Sequence, residues 1–161
     1  PSCETPRHTE GYEGFYHLTA IAGTAERAEL RYILRDHDAK KLEMRRETMA
    51  HIMKILNERY GAGTVNLSFR EQYRNMAEKI RPDYMHLVEN AVKATEAAGV
   101  EPLRQPIRGG TDGAQLCYRG LPCPNLCTGG FAFHGPFEHI AAEDMELCAR
   151  MLEELICLPR K

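Results

Sequence analysis

The stretch "FAFHGPFEH", residues 131–139, sets His134 among aromatic residues and a Gly-Pro step, just after a pair of glycines. An imidazole there has two chemical readings. It can offer a neutral ring nitrogen to a metal ion, or it is a loop histidine lying among glycines. Arg108 stands in "PIRGGTDGAQL", beside two glycines that let backbone approach a ligand closely. A guanidinium in that setting can grip a carboxylate through two parallel hydrogen bonds. The plainer reading is a surface arginine next to a turn. Arg35, in "LRDHD", has Asp36 and Asp38 as ready pairing candidates. Asn75, in "YRNM", suits a turn, and Asp112 suits the cap of the helix that follows it. Glu153 and Glu154 read as the solvated face of a helix. "RGGTDG" lacks the Lys-Ser/Thr ending of a phosphate-binding loop, which excludes that cradle in its standard form.

Cysteines stand at 3, 117, 123, 127, 148 and 157, and none form a CxxC pair. Cys117, Cys123 and Cys127 are close in sequence, yet their spacing fits no common structural-zinc pattern. Buried thiols in a reducing compartment are the simpler expectation, and cytosol follows from it.

These residues need elements to position them. "FYHLTAIA", residues 15–22, alternates apolar and polar, "GTAER" breaks the run, and "AELRYILR" resumes it to Arg35. Two such runs around a Gly-led turn predict a hairpin. Asp38 is placed to cap a long helix with an apolar stripe of Leu42, Met49, Ile52, Met53 and Leu56, ending at Gly61. "TVNLSFR", from Thr64, alternates again and predicts a third strand. Residues 12–70 therefore read as β-β-α-β, a partial split βαβ (ferredoxin-like) layer. Beyond a boundary near residues 72–82, Pro82 is placed to open a helix bearing Tyr84, Leu87, Val88, Ala91 and Val92, with Gly99 at its end. "EPLRQPIR" reads as a short strand interrupted by prolines, and "GGTDGAQLCYRG" as a glycine turn into a helix. "LPCPNLC" reads as a short buried strand, and residues 142–157 as a last amphipathic helix stopped by Pro159. The expectation is an α/β protein of two parts, residues 1–75 and 76–161.

Bulk properties narrow the function classes. Of 161 residues, 43% are hydrophobic and 27% charged, which is globular rather than disordered material. A net charge of −2 gives no basic excess for nucleic acid. No apolar run approaches the ~20 residues that span a bilayer. The chain opens on "PSCETPRHTEG", with neither a secretory signal nor an initiator Met, which points to a processed chain or one cut from something longer.

Three motifs in consistent order, "IRGGTDGAQL", "GLPCPNLCTGG" and "FHGPFEH", resemble the C-terminal part of the tripeptide aminopeptidases of the peptidase T family, which are co-catalytic zinc metallopeptidases. "TEGYEGFYHLTAIAGTAERAELRYILRDHD" resembles the same family's inserted lid. The resemblance implies a partial lid over 1–75 and the C-terminal part of an α/β catalytic domain over 76–161. It implies a parent enzyme of twice this length or more, in which two zinc ions and a glutamate base cleave the N-terminal residue from tripeptides. By motif, His134 corresponds to the last zinc ligand. Arg108 corresponds to the arginine holding the peptide's terminal carboxylate, Arg35 to a second anion-contacting residue, and Asn75 to a lid asparagine facing the scissile peptide. The general-base glutamate and the remaining ligands have no counterpart here; Glu153-Glu154 lies beyond His134 and cannot supply them. The resemblance thus implies a chain with no catalytic residue of its own, a peptide as ligand, and the N-terminal part of the same enzyme, or a second copy, as partner. Neither nucleic acid nor membrane is expected. A reading from another class is a non-catalytic, peptidase-derived binding or assembly module that keeps the carboxylate grip.

Overall fold

In a computed structural model that describes residues 3–158, the two alternating runs pair as an antiparallel hairpin of β1 (Phe15–Gly23) and β2 (Ala28–Arg35). The register runs from Phe15 opposite Arg35 to Gly23 opposite Ala28, with an irregularity between Leu18 and Ala20. Thr19 sits at that irregularity and donates its hydroxyl to the Arg31 carbonyl at 3.1 Å. The Thr24 amide closes the turn onto the Arg27 carbonyl at 2.7 Å. Residues 39–60 follow as α1 (Ala39–Tyr60). The Asp38 carboxylate accepts from the Lys40 and Lys41 amides at 2.8 and 3.0 Å, filling two of the donors a helix start leaves open. Gly61, at φ 108°, ends it, a conformation that side chains disfavour. Leu42, Met49, Met53 and Leu56 of the expected stripe are half-buried, Ile52 is exposed, and no residue of α1 is fully buried.

The expected third strand is corrected. Residues 64–70 join no ladder among the described residues. Asn57 occupies the backbone of the segment instead: its amide nitrogen donates to the Val65 carbonyl at 2.9 Å, and its carbonyl oxygen accepts from the Val65 amide at 2.7 Å. A side chain has met the groups that a neighbouring strand would have met, and the segment is tied back to the end of α1.

The chain divides into two compact units. One holds the described residues through Asn75 together with Gln105–Thr111. The other holds Met76–Arg104 and the described residues from Asp112 onward. The second unit contains α2 (Ala77–Asp83), α3 (Met85–Ala97), α4 (Asp112–Tyr118), a small antiparallel ladder of β3 (Gly130–Phe131) and β4 (His139–Ile140), and α5 (Ala142–Cys157). Pro82 does not open α3 as expected. It lies in the last turn of α2, which closes when the Tyr84 amide bonds the Ile80 carbonyl at 2.8 Å, and α3 begins afresh at Met85. Gly99 follows the end of α3 at φ 83°, its amide on the Glu96 carbonyl at 2.9 Å.

Two more expected strands, over 101–108 and 121–127, are irregular chain. Each carries two prolines, which remove ladder donors and leave little to pair. Leu126 packs instead, with Leu155 and Leu158, against a core of Ala94, Ala98 and Met151 where α3 meets α5. The expected stop for α5 at Pro159 lies outside the described residues. The architecture is mixed α/β, with antiparallel strand pairing throughout the described residues. No described helix is long and apolar enough to cross a membrane.

Candidate functional site

Arg108 belongs to the first unit, where the 105–111 segment returns to the hairpin. Its Nη1 donates to the Thr9 carbonyl. Its Nη2 donates to the Thr9 hydroxyl at 2.6 Å and the Glu13 carbonyl at 3.3 Å. The guanidinium lies 5.1 Å from the centre of the Phe15 ring, within cation–π range. Nε is buried with no hydrogen-bond partner among the described residues. An arginine nitrogen so placed is a donor held ready in a shielded position, because a buried unpaired donor is unfavourable until an acceptor arrives. The two glycines that follow differ. A Cβ on Gly110 would lie 2.1 Å from the Tyr73 ring, so packing requires glycine there; nothing lies within 4 Å of one on Gly109.

Arg35 ends β2, with Nη2 donating to Gln72 Oε1 at 3.1 Å and Nη1 to the Leu34 carbonyl at 3.2 Å. Its guanidinium stands 5.6 Å from the centre of the Tyr73 ring. Burial pushes its pKa below the ordinary arginine range, with Tyr73 opposing the change. Neither neighbouring aspartate pairs with it. Asp36 Oδ2 accepts from Arg45 Nε at 3.0 Å, and Asp38 caps α1. Asn75 donates from Nδ2 to the His37 carbonyl at 2.8 Å. Tyr73 and Phe15 link the two arginines: Tyr73 carries Arg35 and packs on Gly110, while Phe15 stands opposite Arg35 in the ladder and beneath Arg108. Sequence reasoning missed Thr9, Glu13, Phe15 and Tyr73 in these roles. Only Phe15, opening the first alternating run, carried a signal in the sequence.

His134 belongs to the second unit, in the loop between β3 and β4. It is exposed and holds φ 65°, in the left-handed region, and Ala132 holds φ 54°. The loop is closed by the His134 amide donating to Glu138 Oε2 at 2.9 Å and the Gly135 amide to the Ala132 carbonyl at 3.1 Å. Asp112 is the first residue of α4. Among the described residues no three His, Cys, Asp or Glu side chains gather to hold a metal ion. A lone imidazole on an exposed loop fits one contribution to a metal centre, and the described residues do not build a centre by themselves. The expectation of buried thiols holds for Cys117 alone: Cys123 and Cys148 are half-buried, and Cys3, Cys127 and Cys157 are exposed.

No family model matches the chain. A mixed α/β chain with a pair of arginines at one hairpin end does, however, match curated peptidases along its whole length. Those relatives carry one name. Peptidase T of Clostridium novyi (strain NT) is 50% identical over 161 residues, all of this chain. Peptidase T of Alkaliphilus oremlandii (strain OhILAs) is 47% identical over 161 residues, and Peptidase T of Geobacillus kaustophilus (strain HTA426) is 48% identical over 158 residues, 98% of this chain. The chain is thus a relative of the peptidase T proteins from end to end. It spans 38 to 39% of the length of these relatives, consistent with the C-terminal portion that its motifs imply.

Proposed function

We propose that this chain is the carboxylate-gripping portion of a zinc-dependent aminopeptidase that removes the N-terminal residue from tripeptides. The observation that carries the reading is the identity of about one half to peptidase T over every residue of the chain. The placement of the arginines supports it. Arg108 presents a shielded, unpartnered Nε–H beside Phe15, and the desolvated Arg35 shares the Phe15 and Tyr73 end of the hairpin. A peptide carboxylate arriving there satisfies the orphan donor and exchanges with the carbonyls of Thr9 and Glu13, a better acceptor replacing neutral ones. Asn75, whose Nδ2 sits on the His37 carbonyl, swings from that bond toward the peptide when substrate closes the site. Residues 1–75 act as lid, and residues 76–161 as the C-terminal part of the catalytic domain.

His134 supplies one neutral imidazole to a zinc pair whose other ligands, with the glutamate base, come from the N-terminal part of the enzyme. Such a metal pair, when bound, polarises a peptide carbonyl and activates water. This chain positions and reads the substrate, has no turnover alone, and works in the cytoplasm.

Steady-state kinetics test the reading in a protein of the relatives' full length that carries this segment. Arg108→Ala raises KM for tripeptides with a free C-terminal carboxylate by roughly tenfold or more, the worth of a charge-assisted hydrogen bond. It leaves C-terminally amidated tripeptides nearly unchanged. His134→Ala lowers kcat severely for both. Equal losses on free and amidated substrates in Arg108→Ala would remove Arg108 from the carboxylate site. Turnover by the purified chain alone, surviving repurification, would remove the division of labour.

A further inference from the structure

Six cysteines, none in a disulfide, include one pair in which an exposed thiol neighbours a shielded one. The Cys148 thiol points to the backbone of Cys127, its Sγ 3.9 Å from the Cys127 carbonyl oxygen. Cys127 is exposed and Cys148 half-buried. The chain from 127 to 129 runs against one face of α5: a Cβ on Gly129 would lie 2.8 Å from the Asp144 Cβ and 3.2 Å from its carbonyl. Asp144 and Cys148 are one helical turn apart on that face. Gly129 holds φ 72°, so its missing side chain and its backbone both allow the close approach that brings Cys127 to Cys148. Burial raises the Cys148 thiol above its ordinary pKa, and the charge of a Cys127 thiolate and a side-chain hydrogen bond with Cys127 add to it. Cys117 Sγ likewise lies 3.7 Å from the Cys123 carbonyl oxygen and accepts from the Cys123 amide at 3.1 Å. Cys117 is buried and Cys123 half-buried, however, so that pair offers no exposed sulfur to a reagent. Cys3 and Cys157 stand near the ends of the described chain.

We propose that Cys127 and Cys148 form a dithiol–disulfide couple that exchanges with low-molecular-weight disulfides and, when oxidised, fastens the segment leading to the His134 loop onto α5. The exposed Cys127 thiolate attacks one sulfur of the small disulfide, forming a mixed disulfide and expelling one thiolate. The Cys148 thiolate then attacks the Cys127 sulfur, forming the Cys127–Cys148 bond and expelling the second thiolate. The two cysteine protons pass to the two expelled thiolates. The protein dithiol is oxidised by two electrons, and the small disulfide is reduced to two thiols. The order follows from exposure, since the accessible sulfur meets the reagent and the shielded one resolves it.

The test treats the purified chain with oxidised glutathione at about pH 8, near the ordinary cysteine pKa. Samples are quenched in acid, alkylated and mapped by mass spectrometry without reduction. The expected product is a Cys127–Cys148 cross-linked peptide, with alkylation of both cysteines lost together and restored by dithiothreitol. In Cys148→Ser, glutathione remains trapped on Cys127. A stable glutathione adduct on Cys127 of the unsubstituted chain with no cross-link overturns the proposal, as does a Cys117–Cys123 bond forming in its place. The mapping of the unsubstituted chain decides the matter even where the serine variant fails to fold.

Discussion

At Gly14 a single hydrogen in place of a side chain holds a charged cluster together. A Cβ there would lie 2.2 Å from Asp36 Oδ2, 2.5 Å from the Arg35 carbonyl and 2.6 Å from Arg45 Nε. The first and last of those atoms form the ion pair of Arg45 with Asp36, whose side chain is 2% exposed, and Arg45 also pairs with Glu4 and stacks 5.0 Å from the centre of the Tyr16 ring. Gly14→Ala is therefore an overpacking substitution beside a shielded carboxylate. It lowers stability by about 1–3 kcal/mol, read as a lower denaturant midpoint at unchanged slope. An unchanged midpoint would show that the cluster yields at no expense. The sequence did not disclose this cluster, because its four members come from residues 4, 14, 36 and 45 and only folding joins them. The same holds at Arg108. Its two readings were visible in "IRGG", yet its partners at Thr9 and Glu13 lie roughly a hundred positions upstream, and the three motifs rather than the local pattern singled it out.

Among the elements, α1 is the clearest case of local control. Its cap, Asp38, has a pKa below the ordinary aspartate range, first because the Lys41 amide donates to it; desolvation opposes this, and the Lys40 amide and the two lysine charges add to the lowering. A carboxyl whose pKa is depressed by folding stabilises the fold at pH above its unfolded pKa of about 3.9. That contribution fades as pH falls through the lower folded value. Asp38→Ala should lower the thermal midpoint at neutral pH by on the order of a few degrees. The difference from the unsubstituted chain should disappear in acid, which thermal melts across a pH series will show. The hairpin and α1 were legible because period, cap and stop all agree within one segment. The strands expected at 64–70, 101–108 and 121–127 were not, because alternation says only that a segment can be a strand. A strand also needs a neighbour with free donors and acceptors, and Asn57 and the prolines decided otherwise.

For the whole molecule, surface is the informative quantity. Ile21, Met44, Leu103, Phe137 and Ile156 are each more than three-fifths exposed, and the buried hydrophobic residues among the described residues number eight. Large exposed apolar area drives association. The isolated chain is expected to self-associate, and size-exclusion chromatography with light scattering measures it directly. A stable monomer with a cooperative melt would contradict this expectation and, with it, the reading that partner surface from the same enzyme covers these residues.

The loop at 131–139 sets two quantities against each other. Ala132 and His134 both hold backbone angles that glycine adopts freely and L-residues adopt at about 1 kcal/mol or more. Ala132 has no functional group to justify the conformation, so Ala132→Gly is expected to raise stability slightly, by about 0.5–1 kcal/mol in chemical denaturation. His134→Gly should raise it in the same way. If His134 serves the proposed metal site, His134→Gly in a protein of the relatives' full length is expected to abolish turnover while Ala132→Gly spares it, as steady-state assays of the two variants will show. A pair of substitutions that both firm the backbone, with only one silencing the enzyme, separates the worth of the imidazole from the worth of the fold. It also turns a locally unfavourable conformation into a reporter: on the proposed role of His134, gain in robustness and loss of chemistry should arrive together.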